Sequence, residues 1–122
     1  MIENKVVEMI ESQLSRDDRW FLNVHGSMFS KSGTPDILTV DHSGVVVGIE
    51  IKKPGGMVAI NQLRRGLEIL KSGGRFVIAT ADFLLENLDG QYLRQIDTAN
   101  EDEFSLFTRE WSSNVTASIE LV

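Results

Sequence analysis

The feature that most constrains the fold is a pair of apolar segments, residues 36–41 and 45–52, separated by a very short polar turn. The turn closes with Gly44, and a glycine in the left-handed conformation is typical of a three-residue hairpin loop. We therefore predict an antiparallel hairpin. In the register that this loop imposes, Asp36 lies directly opposite Glu50, with the two Cα atoms roughly 5 Å apart.

The second segment ends in charged residues, which a buried strand avoids unless the charges are paired, exposed or bound to a metal. Side chains two residues apart in a strand share a face, so Glu50 and Lys52 point one way. Ile49 and Ile51 point the other way, into the core. With Asp36 opposite, the hairpin brings two carboxylates and a lysine together on one face.

Two carboxylates at this separation repel each other, and one takes up a proton unless a cation lies between them. Mg²⁺ fits such a pair because it prefers hard oxygen ligands and keeps several waters. A metal held by Asp36 and Glu50 polarises a phosphate and lowers the pKa of a bound water. The ammonium of Lys52 can orient that water and offset negative charge. The combination of two carboxylates and a lysine therefore predicts a site that cleaves phosphodiesters.

The residues before Asp36 support this prediction. Pro35 fixes its own φ and keeps Thr34 extended, so Asp36 lies at a rigid strand entrance, and Gly33 permits close approach of the backbone. The alternative is that residues 33–36 form an ordinary turn, with Glu50 and Lys52 an exposed pair on an edge strand. The segment 33–36 taken alone, or the Glu50–Lys52 pair taken alone, favours this alternative. The two segments together, in matched register, favour a catalytic site.

A helix is predicted over residues 2–14 from its apolar spacing. Glu3 falls in the middle of the apolar stripe, Glu11 lies at its edge and Glu8 points away. The stripe itself consists of Val6, Val7, Ile10 and Leu14. One carboxylate is thus directed inward, although a glutamate in the first turn can also serve only to favour the helix dipole.

The remaining pattern alternates strands and helices. We predict strands at 20–24, 75–80 and 115–121, helices at 59–72 and 82–88, and a loop at 25–34. Residues 103–111 are a candidate partner for the last strand across the turn 112–114.

Composition limits the classes of protein that this chain can represent. Its 122 residues suit one domain, and the absence of cysteine excludes thiol catalysis, disulfides and Cys-based zinc sites. We find neither a transmembrane-length apolar run nor a signal-peptide pattern, and expect a soluble, cytoplasmic protein. The net charge of −6 argues against nucleic acid, yet residues 31–75 carry seven Lys/Arg against four Asp/Glu, and a local basic face can bind phosphate.

These motifs resemble those of the PD-(D/E)XK nuclease superfamily, and more closely those of its VRR-NUC family. The similar stretches cover roughly residues 2–80 and are "HGS", "SGTPDIL", "VVVGIEIKKPGG", Gln62 within "NQLRRGLEIL", and "SGGRFVIA". Asn23 departs from the pattern, because many relatives have a basic residue at this position. The departure affects a phosphate contact and leaves the metal ligands intact.

The resemblance implies an α/β fold with a restriction-endonuclease-like core, a mixed β-sheet flanked by helices. It implies a single nuclease domain over 1–122, with its core at about 2–88 and a C-terminal extension at 89–122. By resemblance the metal ligands are Glu3, Asp36, Glu50 and the carbonyl of Ile51. Lys52 would be the catalytic lysine, and Gln62 would hold a water or a backbone phosphate beside the site, unless it is an ordinary solvent-facing helix residue.

Four residues are candidates for DNA contacts: His25, Lys53, Arg64 and Arg65. Alternatively, His25 is a structural residue at a strand end, and the other three residues are ordinary solvent-exposed charges.

The expected activity is Mg²⁺-dependent DNA cleavage, with Mn²⁺ able to substitute, in a bacterial or phage-infected bacterial cell. No recognition helix or zinc finger is visible, so we expect selection by DNA shape, as in resolvases of four-way (Holliday) junctions. Two symmetric cuts suit a homodimer, for which the C-terminal strand and Trp111 could supply the surface. The alternatives are a nuclease for flaps, ends or duplex within a larger machine, a silent DNA-binding or assembly module, and an α/β protein with an ordinary charged strand.

Overall fold

The order of helices and strands follows most of the predicted pattern. The computed structural model describes residues 2–24, 33–53, 56–89, 93–96 and 116–121. Its elements are helix α1 (Ile2–Arg16), strands β1 (Phe21–Asn23), β2 (Ile37–Val40) and β3 (Val46–Ile51), helix α2 (Ile60–Lys71), strand β4 (Arg75–Ala79), a 3₁₀ turn (Leu85–Asn87), and strands β5 (Leu93–Ile96) and β6 (Ala117–Leu121). The described strands form a mixed sheet in the order β1-β2-β3-β4-β6-β5. The chain is therefore an α/β protein.

The predicted hairpin lies in the middle of this sheet. Ile37 of β2 pairs with Ile49 of β3, which is the predicted register. Gly44 has φ +84°, and the N–H of Asp41 donates to the carbonyl of Val45 at 2.9 Å, so the loop spans three residues as predicted. The local turn chemistry thus sets the register of both strands.

Strands β3 and β4 are parallel, and helix α2 connects them. Ile51 pairs with Ala79, so both strands end at the same end of the sheet, where β2 also begins. We call this the site end of the sheet. The opposite end, at Gly44, is the turn end. Helix α2 begins near the site end because it follows β3.

Helix α1 covers one face of the sheet. Its apolar stripe is buried as predicted, Glu8 is exposed and Glu11 is half-buried. The stripe shares a core cluster with alternate residues of the central strands, namely Val47, Ile49, Ile51, Val77 and Ala79. Each fully buried valine or isoleucine side chain among them contributes roughly 1.5–3 kcal/mol to folding.

Helix α2 covers the opposite face. A second cluster there combines Leu63 and Leu70 of the helix with Phe76, Ile78 and Ile119 of the sheet. A Cβ on Gly66 would lie 2.6 Å from the ring of Phe76, so the absence of a side chain lets the helix approach β4 closely. Because the two helices cover opposite faces, β3 is buried on both sides.

Two local predictions need correction. The helix predicted at 82–88 is only a 3₁₀ turn, Leu85–Asn87, because Leu84 is extended and its N–H donates to Oδ1 of Asn87 at 2.7 Å. Strand β5 was missed because it is short and carries little periodicity. The proposed partner strand at 103–111 lies outside the described residues.

Within its described side chains, the C-terminal strand does not offer the dimer surface suggested by its apolar pattern. β6 lies inside the sheet between β4 and β5, where residues 116–119 are buried within the chain. Trp111 lies outside the described residues. Among the described helices, none is long and apolar enough to cross a membrane.

Candidate active site

Asp36 lies at the entrance to β2 and contacts the end of β3. Its Oδ2 accepts a hydrogen bond from the backbone N–H of Ile51 at 2.8 Å. Pro35 is buried and packs over Gly48, where a Cβ would lie 2.9 Å from Cγ of Pro35. The rigid strand entrance predicted from the proline is therefore held against β3, and it directs the Asp36 carboxylate toward the residues that follow Glu50.

The backbone of Ile51 is turned toward Asp36. Lys52 N–H donates to the carbonyl of Ala79 at 2.9 Å, so at Lys52 the backbone faces β4. Backbone groups of successive strand residues face opposite neighbours, and those of Ile51 therefore face the side of β2. Since β2 begins only at Ile37, the Asp36 carboxylate takes the Ile51 N–H in place of a strand partner. The Ile51 carbonyl is turned to the same side.

Glu50 occupies the most constrained position in this group. It lies in a central strand, opposite Ile78 of β4, and only 2% of its surface is exposed. The alternative of an exposed Glu50–Lys52 pair on an edge strand is therefore wrong, because helix α2 covers the face on which Glu50 lies. A carboxylate in such a place is costly unless other groups or a cation stabilise its charge.

Lys52 directly follows β3 and is half-buried. A Cβ on Gly56 would lie 3.6 Å from Cδ of Lys52 and 3.0 Å from the carbonyl oxygen of Lys53, so Gly56 lies directly over the lysine stem. Asp36, Glu50 and Lys52 thus all lie at the site end of the sheet, in the predicted register.

Gly33 connects this group to helix α2. It has φ +83°, and a Cβ there would lie 2.3 Å from the carbonyl carbon of Asn61 and 2.8 Å from the backbone nitrogen of Gln62. The close backbone approach expected at Gly33 is confirmed, and its partner is the first turn of α2. The sequence contains no local signal for that partner, because the two segments are nearly thirty residues apart.

Gln62 has a structural role that its sequence position also explains. Its Oε1 accepts a hydrogen bond from the N–H of Ala59 at 2.8 Å, which satisfies a free donor at the start of α2. The carbonyl end of the side chain is thereby oriented. The amide nitrogen is the end that could donate to a water or a phosphate oxygen, so the predicted site role stays a prediction.

The candidate DNA contacts differ in their surroundings. Lys53 and Arg64 are exposed, whereas Arg65 forms an ion pair with Glu68 on the same helix at 2.6 Å. His25 lies outside the described residues, and so does the side chain of Glu3. Helix α1, which carries Glu3, packs on the face of the sheet opposite the one on which Glu50 lies.

The donor set fits a hard divalent cation. Asp36, Glu50 and the Ile51 carbonyl supply only oxygen, and two carboxylates against one ammonium leave the group negative without a cation. Within the described residues, no three Asp, Glu or His side chains group as a ready-made metal cage. The predicted third carboxylate, Glu3, is not among the side chains that the structure describes.

A hydrogen-bonded group beside the site was not foreseen. Asp82 Oδ1 accepts from the N–H and the hydroxyl of Thr116 at 2.9 and 2.6 Å and from the Thr80 hydroxyl at 2.5 Å. Burial alone would raise the pKa of Asp82, but these hydrogen bonds outweigh it and lower the pKa below its ordinary value. The group joins the exit of β4 to the start of β6. The only feature of the local sequence that could have predicted this hydrogen-bonded group is the polar stretch Thr-Ala-Asp directly after an apolar strand.

A second unforeseen network lies at the turn end. The Arg19 guanidinium donates to both carboxylate oxygens of Asp89, at 3.1 and 2.7 Å, and to the carbonyl of Val40 at 3.3 Å. The N–H of His42 donates to Asp89 as well, at 3.0 Å. This network ties the end of α1 to the hairpin and to the segment after the 3₁₀ turn, far from the candidate site.

Comparisons of this chain with protein-family models, with curated proteins and with solved structures found no match.

Proposed function

We propose that this protein is a Mg²⁺-dependent DNA endonuclease of the VRR-NUC type, built on a restriction-endonuclease-like core. The observation that carries the proposal is the hydrogen bond from Ile51 N–H to Asp36 Oδ2, at 2.8 Å, beside the buried Glu50. It joins the Pro-Asp motif to the Glu-x-Lys motif at one end of a central strand. A half-buried and a buried carboxylate at the same end of a central strand support a metal site more than an ordinary structural role for both motifs.

The residues have distinct roles in this proposal. Asp36, Glu50 and the Ile51 carbonyl would hold Mg²⁺ or Mn²⁺, with Glu3 as the predicted further ligand. When bound, the metal would supply a Lewis acid beside the scissile phosphate. Lys52 would orient the attacking water and offset the negative charge that develops on the phosphate. The Nε2 amide of Gln62 would donate to a water or a backbone phosphate oxygen.

Branched DNA is the proposed substrate, bound by a homodimer. Lys53 and Arg64, both exposed, would contact backbone phosphates, with His25 as a further candidate. Arg65 would have to break its ion pair with Glu68 before it could contact a phosphate. Two copies related by a two-fold axis would make paired cuts in a symmetric junction. Sedimentation at working concentrations should find a dimer, and a monomer throughout would exclude that arrangement.

The test is cleavage of a labelled four-way junction and a matched linear duplex with Mg²⁺ and with Mn²⁺. Wild type is compared with Lys52→Ala and with Lys71→Ala, a control lysine at the C-terminal end of α2. We expect wild type and the control to make paired cuts in the junction and to spare the duplex, and Lys52→Ala to be inactive.

Other outcomes separate the alternatives. If wild type cleaves flaps or plain duplex as well as it cleaves junctions, the nuclease function is supported and the preference for junctions is excluded. DNA binding without cleavage by either metal would indicate a silent binding module, and calorimetry with metal alone would then show whether the site binds a cation.

A further inference from the structure

Two large apolar side chains are exposed between the catalytic candidates Lys52 and Gln62. Met57 is 74% exposed and Ile60 is 64% exposed, the two highest values among the large apolar side chains in the described ranges. Large apolar side chains this exposed, only three residues apart in the chain, favour a contact surface. Their position beside the candidate site suggests a contact with whatever the site holds.

The segment that carries these side chains is firmly anchored. Val58, between them, is only 8% exposed and packs in the α2-side core cluster. On one side, Gly56 N–H donates to the carbonyl of Lys53 at 2.9 Å. On the other side, Ala59 N–H is capped by Gln62. Met57 and Ile60 are therefore held outward on either side of a buried anchor.

Positive charges flank this apolar pair. Lys53 precedes Met57 and is exposed, and Arg64 follows Ile60 by one helical turn and is also exposed. Residues four apart on a helix lie on the same side, so Ile60 and Arg64 present one continuous surface. An apolar centre between cations complements a ligand that offers apolar faces between phosphates. DNA with unstacked bases has that character, whereas in an intact duplex the base faces are covered.

We propose that Met57 and Ile60 form an apolar contact that packs against an unstacked base step of branched or distorted DNA. Lys53 and Arg64 bind the adjoining phosphates. This inference rests on the proposed nuclease function and names the feature by which the site selects its DNA. A duplex must first unstack to make the contact, at an energetic cost, whereas a branch point is already open.

The experiment measures binding without requiring cleavage. Full-length protein in Ca²⁺ is titrated with a junction and with a matched duplex, each carrying the fluorescent base 2-aminopurine at the branch point or at the equivalent step. The variant is the double substitution Met57→Gln and Ile60→Gln. The control is Trp20→Gln, whose side chain is 61% exposed but lies near the turn end, where its carbonyl accepts from Thr39.

Wild type and the control should change the 2-aminopurine fluorescence of the junction. The double variant should lose that change and bind the junction about tenfold more weakly, with duplex affinity unchanged. The salt dependence of junction binding should stay the same, because the phosphate contacts remain. Since both side chains are exposed, the thermal stability of the variant should match that of wild type.

The proposal is overturned if the double variant binds the junction with wild-type affinity and fluorescence. It is also overturned if the variant changes the sedimentation of the free protein from dimer to monomer, because the surface then belongs to a second copy. Failure of the nuclease function is a separate result. If wild type never cleaves DNA but unstacks the branch point through Met57 and Ile60, the apolar contact is supported and the nuclease function is excluded.

Discussion

Asp36 and Ile51 are joined by a hydrogen bond of 2.8 Å from the Ile51 backbone N–H to Oδ2 of Asp36. The carboxylate thus replaces a strand neighbour for the last residue of β3. The same contact brings Asp36 beside Glu50 and the Ile51 carbonyl, so one hydrogen bond serves both the fold and the candidate site. Substitutions that keep or remove it should separate these two roles.

Asp36→Asn retains an oxygen that can accept from Ile51, and its unfolding free energy without metal should stay within about 1 kcal/mol of wild type. Asp36→Ala removes the acceptor and should cost about 2 kcal/mol. In the proposed site, Mg²⁺ at ten times its Kd would stabilise wild type by about 1.4 kcal/mol, and both variants should lose this stabilisation. Urea unfolding with Mg²⁺ and with EDTA checks this. Retained Mg²⁺ stabilisation in Asp36→Asn would exclude Asp36 as a ligand.

Glu50→Gln should stabilise the protein while it abolishes metal binding. In the proposed site two carboxylates repel each other when no metal lies between them, so removing one of them should raise the unfolding free energy in EDTA by about 1 kcal/mol. The stabilisation by Mg²⁺ should disappear. Thermal denaturation with and without Mg²⁺ tests both parts, with the exposed Glu86→Gln as a control that changes neither. If Mg²⁺ stabilises Glu50→Gln as it does wild type, Glu50 is not a ligand.

Gly33→Ala and Gly44→Ala form a matched pair. Their φ angles are +83° and +84°, so both substitutions incur the left-handed strain of roughly 1–2 kcal/mol. A Cβ on Gly44 meets nothing within 4 Å, whereas one on Gly33 would lie 2.3 Å from the backbone of Asn61. Gly33→Ala should therefore cost about 1–3 kcal/mol more in urea unfolding and reduce cleavage. Equal losses in the two variants would show that the loop does not rest on α2.

Asp89 should make the protein sensitive to acid. Burial alone would raise the pKa of Asp89, but hydrogen bonds from Arg19 and from the His42 backbone outweigh it and lower the pKa below its ordinary value. A lowered folded-state pKa contributes stability that is present above about pH 4 and lost as the pH falls through the lower folded value.

Asp89→Asn should therefore lower the unfolding free energy at pH 7 by about 2 kcal/mol and flatten its fall below about pH 4. Urea unfolding across this range measures the effect. Asp17→Asn is the control, because Asp17 also binds Arg19, at 2.8 Å, but its side chain is 42% exposed, and its loss should be below about 1 kcal/mol. An unchanged pH dependence in Asp89→Asn would contradict the assignment.

The hairpin shows how far sequence reasoning reaches in this protein. Its register depends on the turn at Gly44 and on the alternation of side chains, both of which are local, so Asp36 could be aligned with Glu50 from sequence alone. The buried stripe of α1 was predictable for the same reason, because helical spacing determines which residues share a face. The short 3₁₀ turn was predicted as a helix because the hydrogen bond that the Leu84 N–H donates to the Asn87 side chain, at the start of the turn, leaves no periodic signal.

The amino-acid sequence by itself therefore determined the α/β alternation, the hairpin register and the residues of the candidate site. Only the tertiary structure decided that α2 buries Glu50, that Gly33 rests on Asn61, that β6 enters between β4 and β5, and that Arg19 binds Asp89. Local spacing restricts only which residues share a face or a turn. Contacts between distant segments are instead selected by how the helices and the sheet pack together, so no short stretch of sequence specifies them.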